Sequence, residues 1–581
     1  MNQPVKRVYR VADALELTLE LERTRFGLRP DALFGVSIRE NPNRPFLFVS
    51  RVLGKHLPVA PKRMLSAAKL LSCAGNDAAH DEAELSFFAD IVNGDSEADF
   101  ETVYARLMHS RNILTKERRT LFIGFAETAT GLAQSVFDSF GGDCAYVNTT
   151  RVEADDDSFL DFLEEHSHAK QHYLYLGRLS SFMQGLRRIA LIDDELTTGN
   201  TMRNLIRALH RQFGVTSYTI YTLLDWRGDE HLEQFRQLEQ ELRIQIEVLS
   251  LIRGRIRQVS YTMPTQPKNL ADYRGKGQGI ELDSEDKKAV ANNCETDKEC
   301  LNRSASLREP LEKIDGGAHK TENEAPHATA CNCELDRDIL NSSAILREPF
   351  ENGNGEAHKM RDEASHTVFC GKSGEMYGTI YRIDCRDLFK DFAGEGQESF
   401  SVQGRFGLTA AERDALADRC RKAALRLKDY QMTLQLGENQ AGIPANDRPD
   451  AISGRIPNKT AEDEKPAHGQ THSRTAYIGT GEFIFLPMLL AAFLDENSRC
   501  QSTTQSPVMP YPNAGSAIEC GVRYHAPDCY SAAGYLYNVV PGQYERAFLF
   551  VEAGHTCETG LKELCVYLKD GGIDQIFMIY L

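Results

Sequence analysis

Between Ile189 and Leu209 the sequence switches period once, from an unbroken apolar run to a helical one. Ile189-Ala190-Leu191-Ile192 is followed by Asp193-Asp194, by Thr197-Thr198-Gly199-Asn200-Thr201, and then by Met202, Leu205, Ile206 and Leu209. A run this short and this apolar predicts a parallel strand buried on both faces. Apolar residues three and four positions apart predict an amphipathic helix. Strand, tight turn and helix in succession specify an open α/β sheet, whose ligands sit at the carboxyl ends of its strands.

The chemistry at that turn is unusual. Thr197, Thr198, Gly199, Asn200 and Thr201 bring backbone N–H groups and hydroxyls to a helix N-terminus, where orphan amides and the helix dipole favour an anion. Gly199 permits the close backbone approach. Paired carboxylates beside a phosphate cradle would repel a plain phosphate ligand. They make sense if they accept hydrogen bonds from sugar hydroxyls and sit near a magnesium-bound diphosphate. A ligand with a 5-phosphate, two ribose hydroxyls and a Mg²⁺ diphosphate on C1 is 5-phosphoribosyl-1-pyrophosphate (PRPP).

The chain is 581 residues long, which predicts several units. Residues 1–265 alternate strand-like and helix-like runs. Residues 266–372 are polar and hold a tandem repeat: Asn293-Cys294-Glu295 recurs at Asn332-Cys333-Glu334, and Ala318-His319-Lys320 at Ala357-His358-Lys359, both 39 positions on. Two polar copies cannot build a solenoid core, so a disordered insertion is expected. A connecting strand and helix follow over 373–436, a polar linker over 437–472, and a second α/β domain over 473–581.

The second domain repeats the plan of the first. Leu121 to Glu127 aligns without a gap on Ala476 to Glu482. Each half then has a strand ending in a Thr-Thr pair, Thr149-Thr150 and Thr503-Thr504, and later a four-residue apolar strand ending in a carboxylate, Ile189 to Asp193 and Phe548 to Glu552. An identical Arg-Phe-Gly-Leu stands upstream of both, at Arg25 to Leu28 and Arg405 to Leu408. The second copy keeps one carboxylate and no Thr-Thr-Gly, so a single competent site is expected, in the first half.

Asp193-Asp194-Glu195-Leu196-Thr197-Thr198-Gly199-Asn200-Thr201 resembles the PRPP signature of the type I phosphoribosyltransferases. The resemblance implies an α/β fold with a parallel sheet and a hood. In it Asp193 and Asp194 bind the ribose hydroxyls, and residues 197–201 wrap the 5-phosphate. Gly124, Phe125, Ala126 and Glu127 are placed like the family's diphosphate loop. His166, His168 and Lys170 occupy the place of the mobile loop that closes over PRPP and excludes water. Lys55 and His56, after the strand at Phe46, resemble the hood that covers the acceptor. No residue is expected to bind metal directly; Mg²⁺ arrives through PRPP, near Asp193 and Asp194. With Gly479 to Phe483, Thr503 to Pro507 and Tyr535 to Val539, the whole pattern is similar to the phosphoribosyltransferase family associated with tellurium-resistance gene clusters, whose members carry a C-terminal TRSP domain. Gln505 stands where that domain's namesake Arg is expected.

The implied activity is transfer of the phosphoribosyl group to a small nitrogen-containing acceptor with release of diphosphate. Thr197 stands where purine-salvage relatives carry an Asp that works as base, which disfavours hypoxanthine or guanine salvage. Trp226, the single tryptophan, can stack on a flat acceptor or pack under the hood. The competing readings are a non-catalytic PRPP- or nucleotide-sensing regulatory protein and a separate C-terminal enzyme built on Glu482, His555 and Cys557. The net charge of −17 argues against nucleic acid as a partner. The apolar run Phe483 to Leu494 is interrupted by Pro487 and too short for a bilayer. The 14 cysteines never pair as Cys-x-x-Cys, and the first residues lack the apolar core of a signal peptide. A cytoplasmic protein is expected, with room for a homodimer.

Overall fold

The computed structural model describes residues 4–39, 41, 44–75, 81–151, 159–163, 171–262, 364–370, 376–392, 404–441, 474–512, 515–526, 533–552 and 558–581. The repeat insertion and the polar linker lie, almost whole, outside these residues.

The predicted apolar strand is the middle of a sheet. Strand Arg188–Leu196 runs parallel between Thr120–Gly124 and Ser217–Asp225. Cys144–Asn148 and Gln245–Tyr261 extend the parallel set on either side. Alternation along the central strand divides two cores. Ile189 and Leu191 pack with Met202, Leu205, Ile206 and Leu209 of helix Asn200–Phe213. Ala190 and Ile192 face the opposite cluster, with Phe122 and Leu132. Each such buried Leu or Ile contributes about 1.5–3 kcal/mol, in keeping with the unbroken apolar stretch from Ile189 to Ile192. Antiparallel strands close the edges: Leu15–Thr24 beside Gln245–Tyr261, and the short Leu408–Thr409 beside Cys144–Asn148. The fold is α/β, built on a central parallel sheet.

The second sheet has the same plan. Its parallel strands lie in the order Cys500–Ser502, Thr475–Gly479, Arg546–Val551, Gln575–Tyr580 and Met376–Asp384, with Ala364–Cys370 antiparallel at the end. Place by place this matches Cys144–Asn148, Thr120–Gly124, Arg188–Leu196, Ser217–Asp225, Gln245–Tyr261 and Leu15–Thr24. The difference is chain order. The fifth parallel strand comes last in the first copy and first in the second, so the second copy is a permuted version of the first. The apolar run at Phe483 is a wholly buried helix, Phe485–Leu494. Pro487 sits in its first turn, where an N–H would have no helical partner. No helix among the described residues is long and apolar enough to cross a membrane.

The two copies are joined through their backbones. Val59 and Cys500 exchange both hydrogen bonds at 2.9 Å, and the Ser502 N–H donates to the Gly54 carbonyl at 2.8 Å. The mirror contact has the Asn148 N–H donating to the Gly404 carbonyl at 3.1 Å, beside the Leu408–Tyr146 pairing. Gly54 and Gly404 are therefore equivalent, and Lys55 corresponds to Arg405. The identical Arg-Phe-Gly-Leu stretches are not equivalent: the Arg25 N–H binds the Leu251 carbonyl beside the first sheet. A third, small sheet adds Val508–Met509 from the second copy to the hairpin Phe34–Arg39 and Phe46–Ser50 of the first.

Gly54 holds φ +64°, and a Cβ there would lie 2.7 Å from the Cys500 carbonyl oxygen. Gly54→Ala is expected to lower the unfolding free energy by at least about 1–2 kcal/mol, the cost of a left-handed L-residue. Urea denaturation should show a lower midpoint at unchanged slope; an unchanged midpoint would mean that the junction is looser than described.

Candidate functional site

The carboxylates stand where the central strand leaves the sheet. Asp193, Asp194 and Glu195 are all partly buried, and the Asp194 N–H donates to Asp193 Oδ1 at 2.9 Å. Burial raises the Asp194 carboxyl above its ordinary range, against the opposing pull of its bond with Asp193 and of Arg44 and Lys55. Glu195 is raised for the same reason although Arg44 pairs with it. Arg44 comes from the turn between Phe34–Arg39 and Phe46–Ser50, so the small sheet reaches over the acids.

The turn beyond them is built around Gly199. It holds φ +72°, and a Cβ would meet the Phe235 ring at 2.5 Å. The left-handed residue turns the chain straight from the strand into helix Asn200–Phe213. Thr198 Oγ1 accepts from the Asn200 N–H at 3.3 Å, and Asn200 Oδ1 accepts from Arg203. Thr197, Thr198, Gly199, Asn200 and Thr201 thus lie together at a helix N-terminus directly after Asp193 and Asp194.

The Gly124–Glu127 turn is the neighbour in the sheet. The Phe125 N–H donates to the Ile192 carbonyl at 3.1 Å, one residue before Asp193. Thr149 holds the turn from the other side: its N–H donates to the Gly124 carbonyl at 2.8 Å and its Oγ1 accepts from the Ala126 N–H at 2.9 Å. The Ala126–Glu127 peptide is cis.

Lys55 and His56 do not cover an open acceptor site. Both are buried, at 1 % and 5 % exposure. Lys55 pairs with Glu127 and donates to the carbonyls of Gly481 and Thr503, each at 2.8 Å. An ammonium group taken out of water needs partners of this kind, and the junction between the copies supplies them. Burial alone would raise the Glu127 carboxyl, but Lys55, Arg151 and the Gln505 N–H outweigh it and hold Glu127 ionised, below its usual range. Burial, reinforced by the adjacent Lys55 charge, pushes His56 down to about 3, so its imidazole is neutral. The expected hood role of Lys55 and His56 gives way to one inside the junction. The residue that extends from the hairpin over the acids is Arg44.

A cavity of about 340 Å³ opens beside the phosphate-type turn, lined by Thr197, Thr198, Trp226, His231, Arg255 and Arg257 among others. Trp226 is 4 % exposed and stacks on Phe48 at 4.9 Å, with Phe34 edge-on at 5.9 Å. It is a packing residue under the small sheet that presents an edge to the cavity. The cations of the wall are already paired. Arg255 makes a bidentate contact with Asp229 at 2.7 Å, and Arg257 pairs with Glu20. The wall is therefore polar without a large excess of either charge.

His166, His168 and Lys170 lie outside the described residues, as do His555 and Cys557. Among the described residues no group of three or more His, Cys, Asp or Glu is arranged to hold a metal ion. Sequence reasoning missed Arg44 and Arg151. Arg151 follows the Thr-Thr pair and lies 3.8 Å from Glu127, about a quarter exposed. Its place next to Thr149-Thr150 was a usable signal; nothing local marks Arg44, which meets Glu195 across 151 positions.

Residues 33–255 match the family model described as "Phosphoribosyl transferase", and residues 445–567 match "TRSP domain C terminus to PRTase_2". No curated protein matches. Solved structures that match include the adenine phosphoribosyltransferase of Trypanosoma brucei, at 13 % identity over 33 % of this chain and 78 % of that one, TM-score 0.18. Another is the adenine phosphoribosyltransferase of Rhodothermus marinus, at 13 % identity over 23 % and 68 %, TM-score 0.16. A third is the orotate phosphoribosyltransferase of Aeropyrum pernix, at 18 % identity over 26 % and 71 %, TM-score 0.15. With the Asp193-Asp194 strand inside the first family match and the Glu482 turn inside the second, the chain belongs to the phosphoribosyl transferase family in which a TRSP domain follows the transferase domain.

Proposed function

We propose that the first half binds PRPP with Mg²⁺ and transfers its phosphoribosyl group to a small nitrogen-containing acceptor, releasing diphosphate. One observation carries this reading. Paired carboxylates lead directly into a Gly199-started helix N-terminus, with the Gly124–Glu127 turn beside them in the sheet. Asp193 and Asp194 accept hydrogen bonds from the ribose hydroxyls. The amides and hydroxyls of residues 197–201 hold the 5-phosphate. The Gly124–Glu127 turn borders the diphosphate, and Arg151 is the nearby cation suited to its charge.

The acceptor enters the cavity between Thr197 and Trp226. Its nitrogen forms a bond to C1 as the C1–O bond breaks, and the electron pair of that bond leaves with diphosphate. The acceptor's proton goes to water. Bound together with PRPP, Mg²⁺ would supply positive charge to offset the negative charge developing on the leaving diphosphate. The carboxylates Asp193 and Asp194 are hard oxygen donors that suit such an ion close by. Rate enhancement comes from positioning and from charges fixed in advance, with no covalent enzyme intermediate.

Magnesium-dependent diphosphate release from PRPP, measured with a panel of bases, should fall at least ~100-fold in Asp193→Asn/Asp194→Asn. Equal release by the variant and the unaltered protein would remove the catalytic proposal. PRPP binding without release would assign a sensing role instead.

The raised carboxyl of Asp194 gives a second expectation. The ionised form accepts the sugar hydroxyls, so PRPP affinity is present above the folded-state pKa and lost as pH falls through it. Because burial raises that pKa, the midpoint should lie above the ordinary aspartate value of 3.8. Titration calorimetry over a pH series reads it directly, with Asp194→Asn lacking the transition. A midpoint at or below the ordinary value would mean that Asp194 is solvated in the free protein.

A further inference from the structure

The contacts around the two equivalent turns are exchanged between the copies. In the first copy Thr149 holds Gly124 and Ala126. In the second, the Thr503 N–H donates to the Gly479 carbonyl at 3.0 Å, and Thr503 Oγ1 accepts from the Gly481 N–H at 2.8 Å. Thr150 bridges to Tyr173, and Thr504 bridges to Tyr535. Glu127 and Glu482 occupy the same place in the two turns, and each accepts from the other copy. The Gln505 N–H donates to Glu127 at 3.2 Å, and the Arg151 N–H donates to Glu482 at 3.2 Å. The equivalent cations behave alike. Lys55 pairs with Glu127 in its own copy and reaches Thr503 in the other. Arg405 pairs with Glu482 and Glu552, each at 3.3 Å, and reaches Thr150 Oγ1 at 3.1 Å.

Reciprocal contacts of this kind, residue for residue, are the mark of a two-fold interface, in which i meets j and j meets i. Here both sides belong to one chain. We infer that the TRSP half stands where a second copy of the first half would stand in a two-fold pair, and that Glu482 is a positioning residue for the first half's site.

Glu482 does this through the Thr149–Arg151 strand end. Its carboxylate accepts from Thr150 Oγ1 at 2.9 Å as well as from the Arg151 N–H. It therefore fixes two consecutive residues from a largely buried position, with its side chain 10 % exposed. Thr149, immediately before them, carries the two hydrogen bonds that hold the Gly124–Glu127 turn. By sheet register the second copy's counterparts of Asp193 and Asp194 are Val551 and Glu552, and Glu552 is 4 % exposed and paired with Arg405. That carboxylate is engaged inside the protein and is not presented to a sugar. The second copy has turned its remaining acids to holding the first.

The proposal rests on the PRPP reading of the first half, and the test separates the two. In the full-length protein, Glu482→Gln removes one charge while Arg405 keeps Glu552. It should leave the melting temperature within a few degrees and weaken Mg²⁺–PRPP binding about tenfold, as loss of a charge-assisted hydrogen-bond set would. Hydrogen exchange at the Ala126 amide should quicken in the same variant without any ligand. Glu563→Gln, which alters an exposed pair with His525, should change neither. Unaltered PRPP binding and unaltered Ala126 exchange in Glu482→Gln would overturn the inference. Failure of the unaltered protein to bind PRPP would overturn the function reading, and the exchange measurement would then decide the positioning role by itself. If Glu482→Gln does not fold, Glu482→Asp retains the charge but shortens the reach, and the same outcomes apply to it.

Discussion

Three largely buried ion pairs at the junction, Lys55 with Glu127 and Arg405 with both Glu482 and Glu552, set the terms for the rest of the molecule. Charges this deep are not favourable in themselves; they persist where further hydrogen bonds satisfy every remaining proton and lone pair. The Gly481 and Thr503 carbonyls, the Gln505 and Arg151 amides and the Thr150 hydroxyl do so here. Removing either cation typically costs about 3–5 kcal/mol because it strands the carboxylates left behind. The turn beside Asp193 thus inherits its rigidity from a cation that lies on another element and from backbone that lies in another domain.

The acids at the site are arranged in the opposite way. Asp194 and Glu195 have raised carboxyls because burial outweighs the attraction of nearby cations. Ionising them costs free energy in the absence of ligand, a cost that hydrogen-bond donors on a bound sugar would relieve. The junction's cations hold Glu127 ionised, whereas burial at the site works against ionised Asp194 and Glu195. That contrast separates a scaffold carboxylate such as Glu127 from the carboxylates that the proposed function assigns to binding.

The α/β class, the central strand and the helix after it were legible because they depend on local periodicity: four apolar residues, a Gly199 turn and an amphipathic run. The equivalence of Leu121–Glu127 with Ala476–Glu482, and of the two Thr-Thr pairs, was legible for the same reason. The order of the second sheet was not, because its fifth strand, Met376–Asp384, precedes the others in the chain and no local signal reports a permutation. The matching Arg-Phe-Gly-Leu stretches misled, since four identical residues say nothing about which backbone they face. Lys55 looked like a ligand contact because a basic residue in a turn is usually exposed. Its carbonyl partners lie 426 and 448 positions away, and only folding brings them together.

The short strands that cross between the copies have one more bearing. Leu408–Thr409 covers the edge of the first sheet at Cys144–Asn148, and Val508–Met509 covers Phe34–Arg39. Uncovered strand edges are templates for pairing with other chains. A fragment ending at Tyr261, the close of the fifth parallel strand, would contain the complete phosphate-type turn and yet bare both edges to its neighbours. The transferase portion is thus continuous in sequence but not self-sufficient as a solid body: its outermost seams are stitched by residues translated long after its own chemistry is complete.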